Sequence, residues 1–441
     1  MKNKIKKLIL LIGDLGFLLL SLVLTLVIRY DALAFEIQWS NHLPKFIIVF
    51  LIFVISLYLN NFYNLNIKTW GRNFFKNLLT TTIFTTILSI TYFYLATDES
   101  INPKTNLIIF IAISIILITL WRRFFALVIK SIMPKENLAI IGHNSKTEKL
   151  LEEIKNNPGS GYSSALIFKT VKELEVLYNL IKEKNIKTVV ICDDFSKPEL
   201  LRENLFKCLN LKVNFYNYPD FYEILSGKIP VESIGANWFI ENIKEGERNY
   251  FNSTKNILDF FFAILFLLVS LPFWPIIALI IKVESKGPVF FMQKRTGRNE
   301  KDFLVYKFRT MKEENNDRKM TAKNDSRITS FGNILRKTRL DELPQVINVI
   351  KGQMSFIGPR PERPELITEL EKEIPFYKTR LLVKPGLSGW DQVSGEYHSP
   401  STEDTIKKLQ NDLFYIKNRS LYLDTIIVLK TIAAVLSRSG R

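Results

Sequence analysis

Ile257-Leu-Asp-Phe-Phe-Phe-Ala-Ile-Leu-Phe-Leu-Leu-Val-Ser-Leu-Pro-Phe-Trp-Pro-Ile-Ile-Ala-Leu-Ile-Ile281 is an apolar run long enough to cross a bilayer as a helix, yet Pro272 and Pro275 interrupt it. Each proline removes a backbone donor and its ring clashes with the preceding turn, so a break is expected at Pro272. Both flanks are basic: Arg248 and Lys255 precede the run, and Lys282, Lys286, Lys294, Arg295 and Arg298 follow it. Cationic flanks stay on the cytoplasmic side, so neither end has reason to cross. The run is therefore expected to enter and leave by one face, as a re-entrant helical hairpin. A Pro-kinked spanning helix is the alternative, and the choice decides on which side of a membrane everything after residue 281 lies.

Upstream, four more apolar runs, at about 8–28, 43–59, 78–95 and 107–128, approach the roughly 20 residues that a crossing needs. The chain has 441 residues, 47% of them hydrophobic and 33 of them Phe, which points to a multi-domain membrane protein rather than to disorder. The first run is too long, and lacks the small-residue cleavage site, for a removable signal peptide. Lys2, Lys4, Lys6 and Lys7 precede the first run, Lys68, Arg72 and Lys76 fill the second loop, and Arg122, Arg123, Lys130 and Lys135 trail the fourth. Asp31, Glu36, Asp98 and Glu99 occupy the other loops. Both ends of a four-helix bundle over residues 1–135 should then face the cytoplasm. Asp14 and Arg29 read as interfacial anchors that snorkel from the first helix, and with no charge deep in the bundle a transport path is not indicated. The net charge of +17 would suit nucleic acid, anionic lipid or phosphorylated substrates. The apolar runs favour the last two, so no nucleic-acid partner is expected.

Residues 136–247 change character. Leu138-Ala-Ile-Ile-Gly142, a helical segment near 146–156 and Thr188-Val-Val-Ile-Cys192 alternate apolar runs with charged helices, the pattern of a Rossmann-like α/β domain. Gly142 opens a strand-to-helix turn, but His143-Asn-Ser-Lys146 lacks the second and third glycines that bring backbone to a pyrophosphate, so nucleotide binding is left open. Asp193-Asp194 reads as a turn signal, or else as the metal-binding acidic pair of a nucleotide-sugar glycosyltransferase. Cys192 and Cys208 are the two cysteines, with no CxxC, and His42, His143 and His398 are unpaired in sequence; neither a disulfide framework nor a zinc site is indicated.

Downstream, Arg336-Lys-Thr-Arg-Leu-Asp-Glu-Leu-Pro-Gln-Val-Ile-Asn-Val-Ile-Lys-Gly352 sets two carboxylates in a basic surround. Leu343, Val346, Ile347 and Ile350 recur at helical spacing, Gly352 supplies a stop, and Pro344 is tolerable only in a first turn. A helix is thus expected from about Asp341. Its unpaired N–H groups and dipole should keep Asp341 and Glu342 ionised and favour phosphate or a metal–phosphate complex nearby. Taken alone, the pair reads equally as a capping aspartate with a solvated neighbour. Lys307, Arg309, Arg336, Arg339 and Arg360 are phosphate-compatible cations, though each alone reads as an ordinary surface charge. Pro359 and Pro361 would aim Arg360 rigidly, and Gly386, Gly389 and Trp390 read as a turn with an aromatic anchor. Amphipathic runs in 364–384 and 405–436 suit a membrane face or an ordinary core.

Phe291-Met-Gln-Lys-Arg-Thr-Gly297, Val305-Tyr-Lys-Phe-Arg-Thr-Met311, the acidic-pair segment, Met354-Ser-Phe-Ile-Gly-Pro-Arg-Pro-Glu362 and Lys384-Pro-Gly-Leu-Ser-Gly-Trp390 together resemble the bacterial monotopic phosphoglycosyl transferases, over roughly residues 252–441. The whole-chain layout resembles the large members, which begin glycan assembly for capsule, exopolysaccharide or O-antigen. Pro219 to Trp238 resembles the stretch that joins their Rossmann-like and catalytic portions. The resemblance implies an enzyme that transfers a sugar-1-phosphate from a UDP-sugar to polyprenyl (undecaprenyl) phosphate, releasing UMP, with Mg²⁺. It implies Asp341 as the nucleophile of a ping-pong reaction through a phosphosugar-aspartyl intermediate, and Glu342 as base; either carboxylate would hold the metal. Lys307, Arg309, Arg336, Arg339, Arg360 and Pro361 form the implied substrate-binding set, and Pro272 the break of the re-entrant membrane helix. The implied layout is a four-helix transmembrane domain at 1–135, a Rossmann-like regulatory or dimerising domain at 136–247, and a mostly helical α/β catalytic domain at 248–441. A homodimer is expected, multi-pass in the bacterial inner membrane, with the site on the cytoplasmic face and in contact with membrane lipid.

One departure stands out. Where some small members have Val-Asn-Gly-Arg after the tryptophan motif, this chain reads Val393-Ser-Gly-Glu396, an acid in place of a phosphate ligand. Two other classes stay open: a processive membrane glycosyltransferase working through Asp193-Asp194, which would release UDP, and a non-enzymatic membrane regulator, which would tolerate loss of the acidic pair.

Overall fold

The apolar runs near the N-terminus fold as four helices, α1 (Lys2–Arg29), α2 (Phe35–Leu59), α3 (Arg72–Leu95) and α4 (Pro103–Ile132). They belong to a computed structural model of the chain that describes residues 2–31, 34–60, 62–63, 71–95, 103–132, 135–157, 160–170, 173, 176–192, 198–312, 325, 327–394 and 401–436. Each helix carries a stretch long and apolar enough to cross a membrane, as does Ala236–Glu284 further on. α1 packs on α2 and α4, and α3 packs on the same two helices. Leu18, Leu22, Phe46, Phe53 and Phe110 fill the interior, while Ile12, Leu79, Ile108 and Leu127 point outward, as they would against lipid.

The bundle also holds charge that the sequence reading set at its ends. Asp14 does not snorkel. Its side chain is fully buried, ion-paired with Arg122 of α4 at 2.5 Å and accepting a hydrogen bond from Tyr63 Oη at 2.7 Å. Arg122 donates a further bond to Phe62 O and lies over the Tyr63 ring. Arg29 donates to Asn106 Oδ1, and the Asn106 amide reaches the His42 ring. A buried carboxylate needs a cation and donors within reach, and its partner here comes from another helix, out of view of any one-helix reading.

Short strands and helices follow: β1 (Glu136–Ile141), α5 (Ser145–Asn156), β2 (Tyr162–Phe168), α6 (Leu177–Glu183), β3 (Thr188–Ile191), α7 (Pro198–Cys208) and β4 (Asn214–Asn217). The strands form one parallel sheet in the order β2-β1-β3-β4. β1 and β3 read as continuous apolar runs because both faces are covered; Leu138, Ile140, Val189 and Val190 are fully buried. At the turn after β1, Asn144 caps α5 by accepting from the N–H groups of Lys146 and Thr147, so amides that a phosphate would need are already taken. Asp193-Asp194 lies outside the described residues.

α8 (Tyr218–Ser226) carries the chain across the division between two compact units, Met1–Phe221 and Tyr222–Arg441. Ile229, Val231, Ile234 and Trp238, the last on α9 (Ala236–Asn242), share a core with Ile367, Tyr377, Leu409 and Leu413 of the second unit. α10 (Asn249–Ser270) and α11 (Trp274–Glu284) are separated by the 3-10 turn Leu271–Phe273, which holds Pro272. Both legs are tied to the same unit. Near the start of α10, Lys255 pairs with Asp424 at 2.6 Å and Asn256 accepts from Lys384; at the end of α11, Glu284 accepts from the Phe331 N–H at 2.9 Å. The antiparallel hairpin β5 (Phe290–Thr296) and β6 (Asp302–Phe308) comes next, then α12 (Ser330–Thr338), α13 (Val346–Ile350), β7 (Ser355–Ile357) and α14 (Pro364–Glu373). β8 (Gly386–Ser388), parallel to β7, and α15 (Trp390–Val393), α16 (Thr402–Asn418) and α17 (Leu421–Leu436) complete this unit.

Candidate active site

The acidic pair sits where α12 ends against β6. Arg339 takes the left-handed conformation, with φ of 60°, and turns the chain into a 3-10 helix, Leu340–Gln345, that packs on β6. The α-helix expected from Asp341 begins only at Val346. Pro344 has no N–H to give the Leu340 carbonyl, and upstream of it, just past the left-handed Arg339, the Glu342 N–H bonds Arg339 O in a 3-10 turn.

The two carboxylates are treated unequally. Glu342 accepts from Lys307 Nζ at 2.8 Å and from Arg360 Nη2 at 3.1 Å. Asp341, 8% exposed, has no ion-pair partner among the described residues, and its buried Oδ1 meets no donor. Burial would push the Glu342 carboxyl up, but Arg360 and Lys307 outweigh it and hold the group well below the usual carboxylate range. Burial, reinforced by the charge of Glu342, pushes Asp341 up against the pull of Lys307, Arg339 and Arg336. The expectation that both carboxylates are kept ionised is met in direction by Glu342, which its cations lower, and not by Asp341, which burial raises. Burial also lowers Lys307, against the pull of Glu342, whereas that same carboxylate raises Arg360.

Arg360 is aimed by a loop locked to β8. Gly358 and Gly386 approach so closely that a Cβ on Gly386 would stand 2.1 Å from Gly358 N, so neither position has room for a side chain. Pro359 O accepts from the Gly386 N–H at 2.9 Å and Glu362 O from the Thr296 N–H at 3.0 Å. Trp390 anchors the following turn, donating from Nε1 to Gly227 O at 3.0 Å and stacking on Phe414.

Of the residues singled out from sequence, Asp341, Glu342, Lys307 and Arg360 are brought together, with Arg336 and Arg339 near enough to act on the pair. Arg336 reaches Met311 Sδ at 3.7 Å. Arg309 points elsewhere: it is buried and donates to Ser285 O at 2.8 Å, closing the end of α11. Pro361 contributes its carbonyl, bonded to Arg295. Glu396 lies outside the described residues. Two arginines were not singled out for the site: Arg295, read only as part of a basic flank and motif, and Arg380, which is buried and paired with Asp412 at 2.8 Å; burial pushes Asp412 up to about 7 against the pull of that arginine. Nothing in the local sequence of Arg380 distinguishes it from other basic residues. Among the described residues there is no group of three or more His, Cys, Asp or Glu able to hold a metal. The pair would nonetheless suit Mg²⁺, which takes one or two carboxylates and completes its shell with water and substrate phosphate, since Asp341 Oδ1 meets no donor among the described residues.

A family profile described as bacterial sugar transferase matches residues 250–438, and one described as a CoA-binding domain matches residues 59–219. The chain is 32% identical over 325 residues to the UDP-glucose:undecaprenyl-phosphate glucose-1-phosphate transferase of Xanthomonas campestris pv. campestris, covering 69% of this chain and 67% of that one. To the UDP-N-acetylgalactosamine-undecaprenyl-phosphate N-acetylgalactosaminephosphotransferase of Aeromonas hydrophila it is 37% identical over 238 residues, 54% of this chain and only 55%, about half, of that relative. The exopolysaccharide production protein PSS of Rhizobium leguminosarum bv. phaseoli is 38% identical over 192 residues, matched along 96% of its length by 42% of this chain.

Proposed function

This chain belongs to the bacterial sugar transferase family, and on that premise we propose that it moves a sugar-1-phosphate from a UDP-sugar onto polyprenyl phosphate. The observation that carries the reading is the division of labour in the acidic pair: Glu342 is pinned by two cations, while Asp341 is buried beside them with an oxygen that no donor among the described residues engages. A carboxylate stripped of donors and pushed up in basicity is a better nucleophile than a solvated one.

In the proposed reaction a carboxylate oxygen of Asp341 attacks the phosphorus attached to the sugar. The bond from that phosphorus to the bridging oxygen breaks, and UMP leaves with that oxygen and its electron pair. An oxygen of polyprenyl phosphate then attacks the same phosphorus, the bond to Asp341 breaks, and the carboxylate is regenerated. Lys307 and Arg360 face the charge that builds on phosphate oxygens, with Arg336 and Arg339 on the flank. Glu342, held so far down, is a poor base; its part is to fix those cations and to share a metal. Asp341 and Glu342 would hold Mg²⁺, which when bound neutralises phosphate charge.

The reading puts the chain multi-pass in the bacterial inner membrane as a homodimer, with its site on the cytoplasmic face and the Pro272 break making a re-entrant hairpin. Support comes from both legs of that hairpin being tied to one unit, and from outward apolar side chains such as Phe261, Leu268, Phe273 and Leu279 along it. Cysteines introduced at Thr254 and Phe290 should both be labelled from the cytoplasmic side only; labelling of position 290 from outside would overturn the hairpin.

The reaction is tested by incubating purified protein with Mg²⁺, polyprenyl phosphate and a panel of UDP-sugars. UMP is the expected product, abolished by chelation of Mg²⁺, and UDP would instead indicate direct glycosyl transfer. Without the lipid acceptor, about one UMP per site should appear, and the tryptic peptide of residues 340–351 should gain the mass of a phosphosugar.

A further inference from the structure

We infer that Arg380 is a positioning residue: through the backbone carbonyl of Arg360 it fixes the loop that aims the Arg360 guanidinium at Glu342. The inference deepens the proposed function and rests on it for the kinetic half of its test.

Two of the three residues in Pro359-Arg-Pro361 lack an N–H, so the loop is held through its carbonyls. All four from Pro359 to Glu362 are engaged. Pro359 O and Glu362 O accept from backbone N–H groups of Gly386 and Thr296. Arg360 O accepts from Arg380 Nη2 at 2.9 Å, and Pro361 O from Arg295 Nη1 at 3.2 Å. Arg380 thus bonds the residue that carries the aimed guanidinium. It is itself immobilised: 5% exposed, paired with Asp412 of α16 at 2.8 Å, bonded to Tyr377 Oη at 2.6 Å and 4.0 Å from Glu362 Oε1. Its planar fork spans the loop, the turn Tyr377–Leu382 and α16 at once, which a lysine ammonium on one flexible stem cannot do. Arg380 touches neither carboxylate of the acidic pair among the described contacts, and acts on the site only through this loop.

The test uses the full chain in detergent and two variants. Arg380→Met combined with Asp412→Leu removes both charges together, so that none is left buried without a partner. Arg380→Lys keeps the charge and loses the fork. In both, hydrogen exchange of the Thr296 and Gly386 amides should accelerate about tenfold or more while amides in the middle of α10 keep their protection. Turnover to UMP should fall about tenfold or more in the otherwise unaltered protein, but less than about threefold when Arg360 is already Met, because the two residues act in series. Unchanged exchange at the two amides, or an equal loss of turnover in both backgrounds, would overturn the inference. If the unaltered protein releases UMP from no UDP-sugar, the proposed function fails, and the exchange measurement alone decides whether Arg380 holds the loop.

Discussion

Asp14 in the helical bundle and Asp341 in the second unit are both buried carboxylates set among cations, and they differ in stoichiometry. Asp14 meets one guanidinium and one phenol, and the pair with Arg122 is neutral. Around Asp341 and Glu342 four cations act on two carboxylates, and the sharing is uneven: among the described residues Glu342 holds two partners and Asp341 none. Burial of charge therefore does not mark a reaction centre. In the proposed function, what distinguishes Asp341 is a surplus of cations beside an acid that none of the described residues pairs with, an arrangement suited to a further anion.

The sharpest way to break this contrast is Asp341→Asn. Asn is nearly isosteric, so the fold should persist while UMP release drops by about a thousandfold or more; near-normal turnover would put Asp341 in the same class as Asp14. Arg122→Leu should act the other way. It strands Asp14 in the bundle interior and should lower unfolding stability in detergent by about 3–5 kcal/mol, with the product of any surviving reaction unchanged. Lys307→Met comes next, with a loss of about ten- to a hundredfold in turnover for one charge contact and little change in unfolding temperature. Asp14→Leu with Arg122→Leu together should cost less than Arg122→Leu alone, about 1–3 kcal/mol, since no charge is left unpaired and, among the described residues, only the Phe62 carbonyl and Tyr63 hydroxyl lose their partners. A large loss in that double variant would show that the bundle pair does more than hold helices together.

How much of this the sequence disclosed follows from how local each feature is. The apolar runs, the alternating strands and the Pro272 break depend on neighbours in the chain, and each is found at its expected place. The acidic pair and Lys307 and Arg360 were visible as motifs for the same reason. What escaped was set by partners far away. Asp14 was misread because Arg122 lies on another helix, and Arg380 was overlooked because its role depends on a carbonyl of the Pro-Arg-Pro loop and on Asp412. The packing of residues 229–238 was likewise out of reach, because their burial against Leu409 and Leu413 depends on a helix far along the chain. The start of the helix after Asp341 was predicted from an apolar repeat, which is blind to the 3-10 winding of Leu340–Gln345.

The left-handed Arg339 has a consequence for anyone who would toughen this enzyme. A side chain at φ of 60° costs roughly 1–2 kcal/mol that glycine would not. A heat-resistance screen run blind to turnover would be drawn toward Arg339→Gly, and would select against a cation beside the acidic pair. The trade should register as a higher melting temperature coupled to slower UMP release. Laboratory evolution of this family member therefore has to score both properties in each round.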